Sequence, residues 1–268
     1  MIWSFSRLNS FNTCKYAWYQ HYIAGESADD NFMAQWGSLI HEIMEKFFNG
    51  QLSYFELVQY YEDHYDDITY DAPKLPTVDL AEKYYQDGID YLSSIPPDYI
   101  TGEYDVLGVE LPIKYNIGNL EILGYIDLVL RDKSTGEITI LDHKSASIKW
   151  LKSGEPSKKD RSHWEDFERQ LYIYSKWAIE NYGRCDYLAW NMFRLGIIKK
   201  IPWIESECDN AINWVKNTVD EIDSEQLWLP NNTKENEFYC QNLCGQRYKC
   251  PFVTVKERDH YDPNGWEV

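Results

Sequence analysis

No apolar run in this 268-residue chain approaches the ~20 residues that span a bilayer, which argues against a membrane-spanning helix. The opening MIWSFSRLNSF has no charged segment followed by an apolar stretch, so it does not read as a secretion signal. The expected location is cytoplasmic. Cations are scarce too: 26 Lys and Arg stand against 44 Asp and Glu, for a formal net charge of −18. Taken alone, that balance argues against nucleic acid, whose phosphates need cations. The phosphate-loop pattern G-x-x-x-x-G-K-[ST] is missing, so no helicase motor is expected within the chain. Repeats and low-complexity tracts are absent as well. The six cysteines are not expected to form disulfides in a cytoplasmic chain.

Aromatic residues, by contrast, are plentiful. They make up 16% of the chain, with 22 Tyr and 11 Trp, enough for one large core or a core with a helical insertion. Charge is also unevenly spread. Residues 56–105 carry 13 acids against two lysines, whereas 144–161 carry six cations against two acids. The basic stretch could be no more than a solvated loop, but its distribution matters more than the total.

Periodicity predicts helices over 4–24, 33–49, 53–67, 77–94, 163–183 and 208–227. Pro73, Pro76, Pro96 and Pro97 punctuate the early region. Ile-, Val-, Leu- and Tyr-rich segments at 105–117, 120–132 and 136–147 are separated by GN and KSTGE turn signals. They read as a three-stranded antiparallel meander. Two more strands are expected at 186–194 and 197–205. The order predicts an α/β (α+β) fold, with a central mixed sheet flanked by helices and a helical N-terminal region. One domain over 1–268 is expected: a mainly helical N-terminal region over 1–100, a core over 101–235, and a Cys-rich tail over 236–268 packing on the N-terminal helix.

The segment TILDHKSASIKW (139–150) poses the chemical question. Side chains alternate on a strand, so Asp142 and Lys144 share a face while His143 points away. Asp127 lies on the preceding strand, and the midpoint between Asp127 and Asp142 falls inside the KSTGE turn. A hairpin therefore sets the two carboxylates opposite each other, which destabilises a sheet unless a cation intervenes. Carboxylates suit Mg²⁺ or Mn²⁺. The bland alternative is that one Asp faces solvent or pairs with Lys144. His41 falls mid-helix among apolar residues, and Gln170 and Tyr174 stand at i, i+4 on one helix face.

The set His41, GYID (124–127), LDHKSA (141–146) and QLYIY (170–174), with the opening SFSRLNSFNTCKYAWYQHYI, resembles the PD-(D/E)XK nuclease superfamily. It resembles the RecB-type nuclease domains in particular, from residue 4 to 252. The resemblance implies a restriction-endonuclease-like core. It implies that Asp127 and Asp142 ligate the metal, with His41 as a further ligand and the His143 carbonyl completing the shell. Lys144 would position the attacking water and offset charge on the phosphate. Gln170 and Tyr174 would orient the lysine or the substrate strand. Glu110, in GVELPI, is an additional candidate. Phosphodiester hydrolysis needs a polarised phosphate and an activated water, and a carboxylate-held metal supplies both.

Cys240, Cys244 and Cys250 form C-x3-C-x5-C, with Cys14 far upstream. Four thiolates suit Zn²⁺ or an iron–sulfur cluster. The AddB-type and CRISPR-adaptation exonucleases carry one early and three late cysteines around a structural [4Fe–4S] cluster, and Cys14 fits that arrangement. Those relatives usually space the first two late cysteines by two residues, where this chain has three. The cluster is the expectation and Zn²⁺ the alternative; Cys185 and Cys208 read as ordinary core cysteines.

The implied activity is a metal-dependent deoxyribonuclease, an exonuclease on single strands or duplex ends, in recombination, repair or replication. Lys149, Trp150, Lys152, Lys158, Lys159 and Arg161, with Trp164 nearby, are the expected nucleic-acid contacts. DNA is the expected partner, with a separate helicase or recombination protein and a homo-oligomer as further expectations. Two alternatives remain open: a non-catalytic nucleic-acid or protein-binding module on the same fold, which the −18 charge favours, and a redox-sensing metalloprotein.

Overall fold

The computed structural model describes residues 2–75, 77–256 and 258–259. Pro76 and the end of the expected tail, 260–268, lie outside the described residues. In chain order the elements are β1 (Ile2–Trp3), α1 (Phe5–Thr13), α2 (Lys15–Tyr22), α3 (Phe32–Phe48), α4 (Leu57–Tyr65), β2 (Ala72–Pro73), α5 (Leu80–Ser93), β3 (Tyr104–Ile117), β4 (Leu120–Asp132) and β5 (Ile138–Lys144). They continue with α6 (Arg161–Tyr182), β6 (Tyr187–Met192), β7 (Ile197–Pro202), α7 (Glu205–Ser224), α8 (Glu237–Asn242) and β8 (Arg258–Asp259). The chain divides into two compact units, 1–9 with 96–224 and 10–95 with 225–268.

The first unit is built on a mixed six-stranded sheet in the order β1-β4-β5-β6-β7, with β3 along the other edge of β4. β3, β4 and β5 form the expected antiparallel meander. Its first turn places Gly118 at φ +62°, a conformation that costs glycine little. In the second turn Asp132 Oδ1 accepts hydrogen bonds from the Ser134 and Thr135 backbone N–H groups at 2.8 and 3.0 Å. With the Ser134 hydroxyl, these hold the Asp132 carboxyl down at about 2. β5 and β6 run parallel and are joined through α6, the crossover that parallel pairing demands. β5 is therefore central, and its first six residues are all buried. That is why it reads as almost continuously apolar. α6 ends at Gly183 in the left-handed conformation (φ +77°), as helix C-termini commonly do. α7 packs on α6.

The second unit gathers α2 to α5 with the C-terminal segment. Asn31 and Asp79 cap α3 and α5 by accepting from the Ala34 and Glu82 N–H groups. Tyr61 sits at the centre of the three helices α3 to α5. Its hydroxyl accepts from Trp36 Nε1 (2.9 Å) and donates to the Tyr84 carbonyl (3.1 Å). The helix expected over 4–24 is instead two helices, because Cys14 is extended (φ −160°) and starts α2 afresh. The C-terminal segment lies against α2: Trp228 stacks on Trp18 at 5.4 Å, and Phe252 meets Tyr16 at 5.1 Å.

Gly88 of α5 has the Tyr61 ring where a Cβ would stand, 2.4 Å from Cζ and the hydroxyl oxygen. Gly88→Ala should therefore destabilise the protein by ~1–3 kcal/mol through overpacking. A lowered denaturant midpoint would show it, and an unchanged midpoint would refute the contact.

Candidate active site

The charged residues of the first unit converge where β4 changes partners. One edge of β4 is paired with β1 at Glu121 and Ile122 and with β5 at 128–131. Asp127 is the first residue past the last β5 pair, Leu128↔Leu141, and the register sets Asp142 opposite it. This is the juxtaposition that the turn midpoint predicts. Asp127 is buried, and its Oδ2 accepts a 2.6 Å hydrogen bond from the His143 backbone N–H. That bond ties one carboxylate to the strand bearing the other.

Asp142 and Lys144 share a face of β5, as alternation requires. The ammonium stands 2.6 Å from Asp142 Oδ2 and donates to Gln170 Oε1 at 2.8 Å. Gln170 Nε2 in turn donates to Asp142 Oδ1 at 3.1 Å, closing a three-membered ring of contacts. One amide thus satisfies both charges, which repays part of the cost of removing them from water. Lys144 also lies over the Phe167 ring, 4.8 Å from its centroid. One turn further along α6, Tyr174 is hydrogen-bonded to Gln170. Burial, and then the negative charges of Asp142 and Asp127, push the Tyr174 phenol well above its usual value, so it stays protonated.

Glu110 approaches from β3. A register shift between Val106 and Gly108 precedes it, and it takes φ +44°, rare for a residue with a side chain. A carboxylate oxygen of Glu110 and one of Asp127 lie within 4.8 Å of each other. The β3–β4 register, unchanged from Ile117↔Leu120 to Val109↔Leu128, sets Glu110 opposite Asp127, and strained backbone beside paired like charges is typical of functional sites. The donor set of Asp127, Asp142 and Glu110, all oxygen, fits a hard divalent cation. His143 points to the opposite face, where Asn191 Nδ2 meets its Nδ1 at 3.1 Å and its ring stacks on Phe193. His41 is on α3, in the second unit.

The basic loop between β5 and α6 is a compact clip. The Ser157 N–H donates to the Lys149 carbonyl (2.7 Å), the Leu151 N–H to Glu155 (2.8 Å), and the Lys149 N–H to Asp160 Oδ2 (3.2 Å). Lys149, Lys152, Lys158, Lys159 and Arg161 are exposed, and among the described residues none of them is ion-paired. The expectation that Trp164 stacks a base is corrected: it is buried beneath Trp150 and Trp190, with ring centroids 4.8 and 4.5 Å away. Trp150 is half-buried, with Lys199 over its ring at 4.7 Å.

In the second unit the four predicted cysteines share one neighbourhood. Cys14 Sγ accepts from the Asn231 N–H at 3.4 Å, while the Cys240 thiol donates to the Asn231 carbonyl at 3.5 Å. Burial and then the charges of Cys14, Cys244 and Cys250 push the Cys240 thiol up to about 11. Cys244 is raised chiefly by burial, with contributions from Cys14 and Cys250. Such mutual repulsion disappears when a metal centre takes four thiolates, so the donor set fits one. Arg247, between Cys244 and Cys250, is 2% exposed. It pairs with Asp71 at 2.7 Å and donates to the Asp29 and Asp30 carbonyls, anchoring the cysteine loop beside the start of α3.

Sequence reasoning did not identify Phe167, Asn191, Gly124 or Arg247. Phe167 stands three residues before Gln170 on α6, a spacing that could have found it. Arg247, inside the cysteine pattern, had no such signal.

A model described as the PD-(D/E)XK nuclease superfamily matches residues 2–255. No curated protein matches the sequence. A solved structure from Eubacterium rectale, described as "Putative exonuclease", aligns with a TM-score of 0.55 at 14% identity, covering 96% of this chain and 90% of that one. At that identity it shows the shared fold.

A Cβ on Gly124 would lie 2.7 Å from Tyr174 ring carbons, so the GYID glycine is what lets Tyr174 approach β4. Gly124→Ala should cost ~1–3 kcal/mol. A double-mutant cycle with Tyr174→Ala should show a coupling well above about 0.5 kcal/mol, and strict additivity would refute the contact.

Proposed function

The chain belongs to the PD-(D/E)XK nuclease superfamily, and from that premise we propose that its first unit is a divalent-metal-dependent deoxyribonuclease acting from strand ends. The observation that carries this reading is the Asp142–Lys144–Gln170 ring set beside Asp127 and Glu110. Asp127 and Asp142 are the proposed ligands of Mg²⁺ or Mn²⁺, with Glu110 and the His143 carbonyl in support. His41 is a further proposed ligand, as the resemblance implies. When bound, the metal supplies Lewis-acid polarisation of the phosphate and lowers the pKa of a water.

The remaining chemistry belongs to the side chains. Lys144 brings a fixed positive charge for the phosphate oxygens and donors that orient the attacking water. Gln170 holds that ammonium on the β5 face, and Tyr174 holds Gln170. The exposed cations of the β5–α6 loop track the DNA backbone. In the second unit we propose that Cys14, Cys240, Cys244 and Cys250 hold a structural [4Fe–4S] cluster, because hydrolysis needs no electron transfer. Cytoplasmic DNA processing, beside a separate helicase or recombination protein or as a homo-oligomer, completes the proposal. Among the described residues, no helix is long and apolar enough to cross a membrane.

With end-labelled single strands and Mg²⁺ or Mn²⁺, the protein should digest linear DNA and leave circular DNA intact; Lys144→Ala and Asp142→Asn should each lower kcat by ~100-fold or more. Full activity in either variant would sink the mechanism, and cutting of circles would sink end-dependence. Separately, anaerobically prepared protein should contain about four iron and four sulfide per chain. Stoichiometric zinc without iron would replace the cluster with a zinc site.

A further inference from the structure

His163 lies in the first turn of α6, and nothing in the proposed chemistry uses it. His163, Phe167, Gln170 and Tyr174 fall at i, i+4, i+7 and i+11, a single stripe along the helix. The last two members belong to the proposed site. Phe167 touches both His163 and the proposed catalytic lysine: its ring centroid is 4.5 Å from that of the imidazole and 4.8 Å from the Lys144 ammonium. The imidazole therefore extends the site towards the N-terminal end of α6, where the exposed cations of the β5–α6 loop arrive.

Three further observations bear on what His163 does. It is exposed, and among the described residues no hydrogen bond reaches its ring nitrogens. Desolvation against its neighbours holds it below the usual imidazole value; the Lys144 charge acts in the same direction, and Asp166 and Asp160 oppose them. It is thus neutral in mildly alkaline solution and offers one N–H donor. Finally, Asp160 does not cap α6 with its side chain, because Oδ2 is taken by the Lys149 N–H and the Ser157 hydroxyl. The positive end of the helix dipole accordingly carries no capping carboxylate from Asp160 at this point.

We propose that His163 is a substrate-binding residue of this site, donating a hydrogen bond to the phosphate oxygen that neighbours the phosphodiester held at Lys144. The proposal rests on the nuclease reading above. A phosphate is the fitting acceptor because the ring has a donor to spare, while Lys144 and the exposed Lys158, Lys159 and Arg161 offset the nearby acids Asp160, Glu165 and Asp166. As a neutral donor, His163 adds hydrogen-bonding register without adding to the salt-dependent attraction supplied by the lysines.

Steady-state digestion of a labelled single strand at about pH 8 tests this. His163→Ala should raise KM about five- to tenfold, the size of one neutral hydrogen bond, with kcat within twofold of the parent. Asn and Gln place an amide donor near the positions of Nδ1 and Nε2, so one of His163→Asn and His163→Gln should restore most of the loss. Strand binding measured in a Lys144→Ala background should weaken on adding His163→Ala, with the slope of log Kd against log salt unchanged. Lys158→Ala should make that slope shallower by about 0.7. An unchanged KM in His163→Ala, a kcat loss like that of Lys144→Ala, or failure of both amide variants would overturn the role. Full activity in Lys144→Ala would remove the nuclease reading and this inference with it. An inactive Lys144→Ala beside an unaltered His163→Ala would remove this inference alone.

Discussion

The structure turns on holding Asp142 and Lys144 together on a strand whose first six residues are buried. Neither charge tolerates burial alone, and a pair in low dielectric is stable only when its remaining hydrogen-bonding capacity is met. Gln170 hydrogen-bonds both groups, so α6 has to cover this face of β5 at one rotation. The parallel β5–α6–β6 crossover delivers that helix. Gly124 then lets Tyr174 lie close on β4, and Tyr174 in turn supports Gln170. Each dependency runs back to the same ion pair.

A different solution holds the second unit. Its cysteines come from the α1–α2 junction and from the C-terminal segment, so their approach rests on contacts made elsewhere. Trp228 on Trp18 and Phe252 on Tyr16 bring the segment to α2. Arg247 is nearly inaccessible, and its partners include the Asp71 carboxylate and the Asp29 and Asp30 carbonyls. Breaking such a pair costs ~3–5 kcal/mol because a buried charge is left uncompensated. The cysteine loop is thereby ordered by protein contacts.

Much of this was legible from local period. The hairpin midpoint at the KSTGE turn sets Asp127 opposite Asp142, and the observed pair Leu128↔Leu141 has that register. Alternation placed Lys144 with Asp142 and turned His143 away. The i, i+4 spacing placed Gln170 and Tyr174 on one face of α6. Strand and helix periods follow from backbone geometry, so these relations hold wherever the elements form. Other features depend on what packs where. Trp164 looked available for stacking until Trp150 and Trp190 were found over it. Cys14 interrupts a periodic helix with an extended residue, which apolar spacing does not reveal.

The sequence by itself thus determined the strand order of the meander, the shared faces and the inventory of carboxylates, lysine and thiols. Tertiary structure decided which of those groups touch. Glu110 takes a left-handed conformation in β3 that strand alternation does not reveal, and Gly124 matters only because Tyr174 lies on it. The physical reason is range. Periodicity is set by neighbours within a turn or a pleat, whereas the partner that satisfies a buried charge comes from wherever long-range packing brings it.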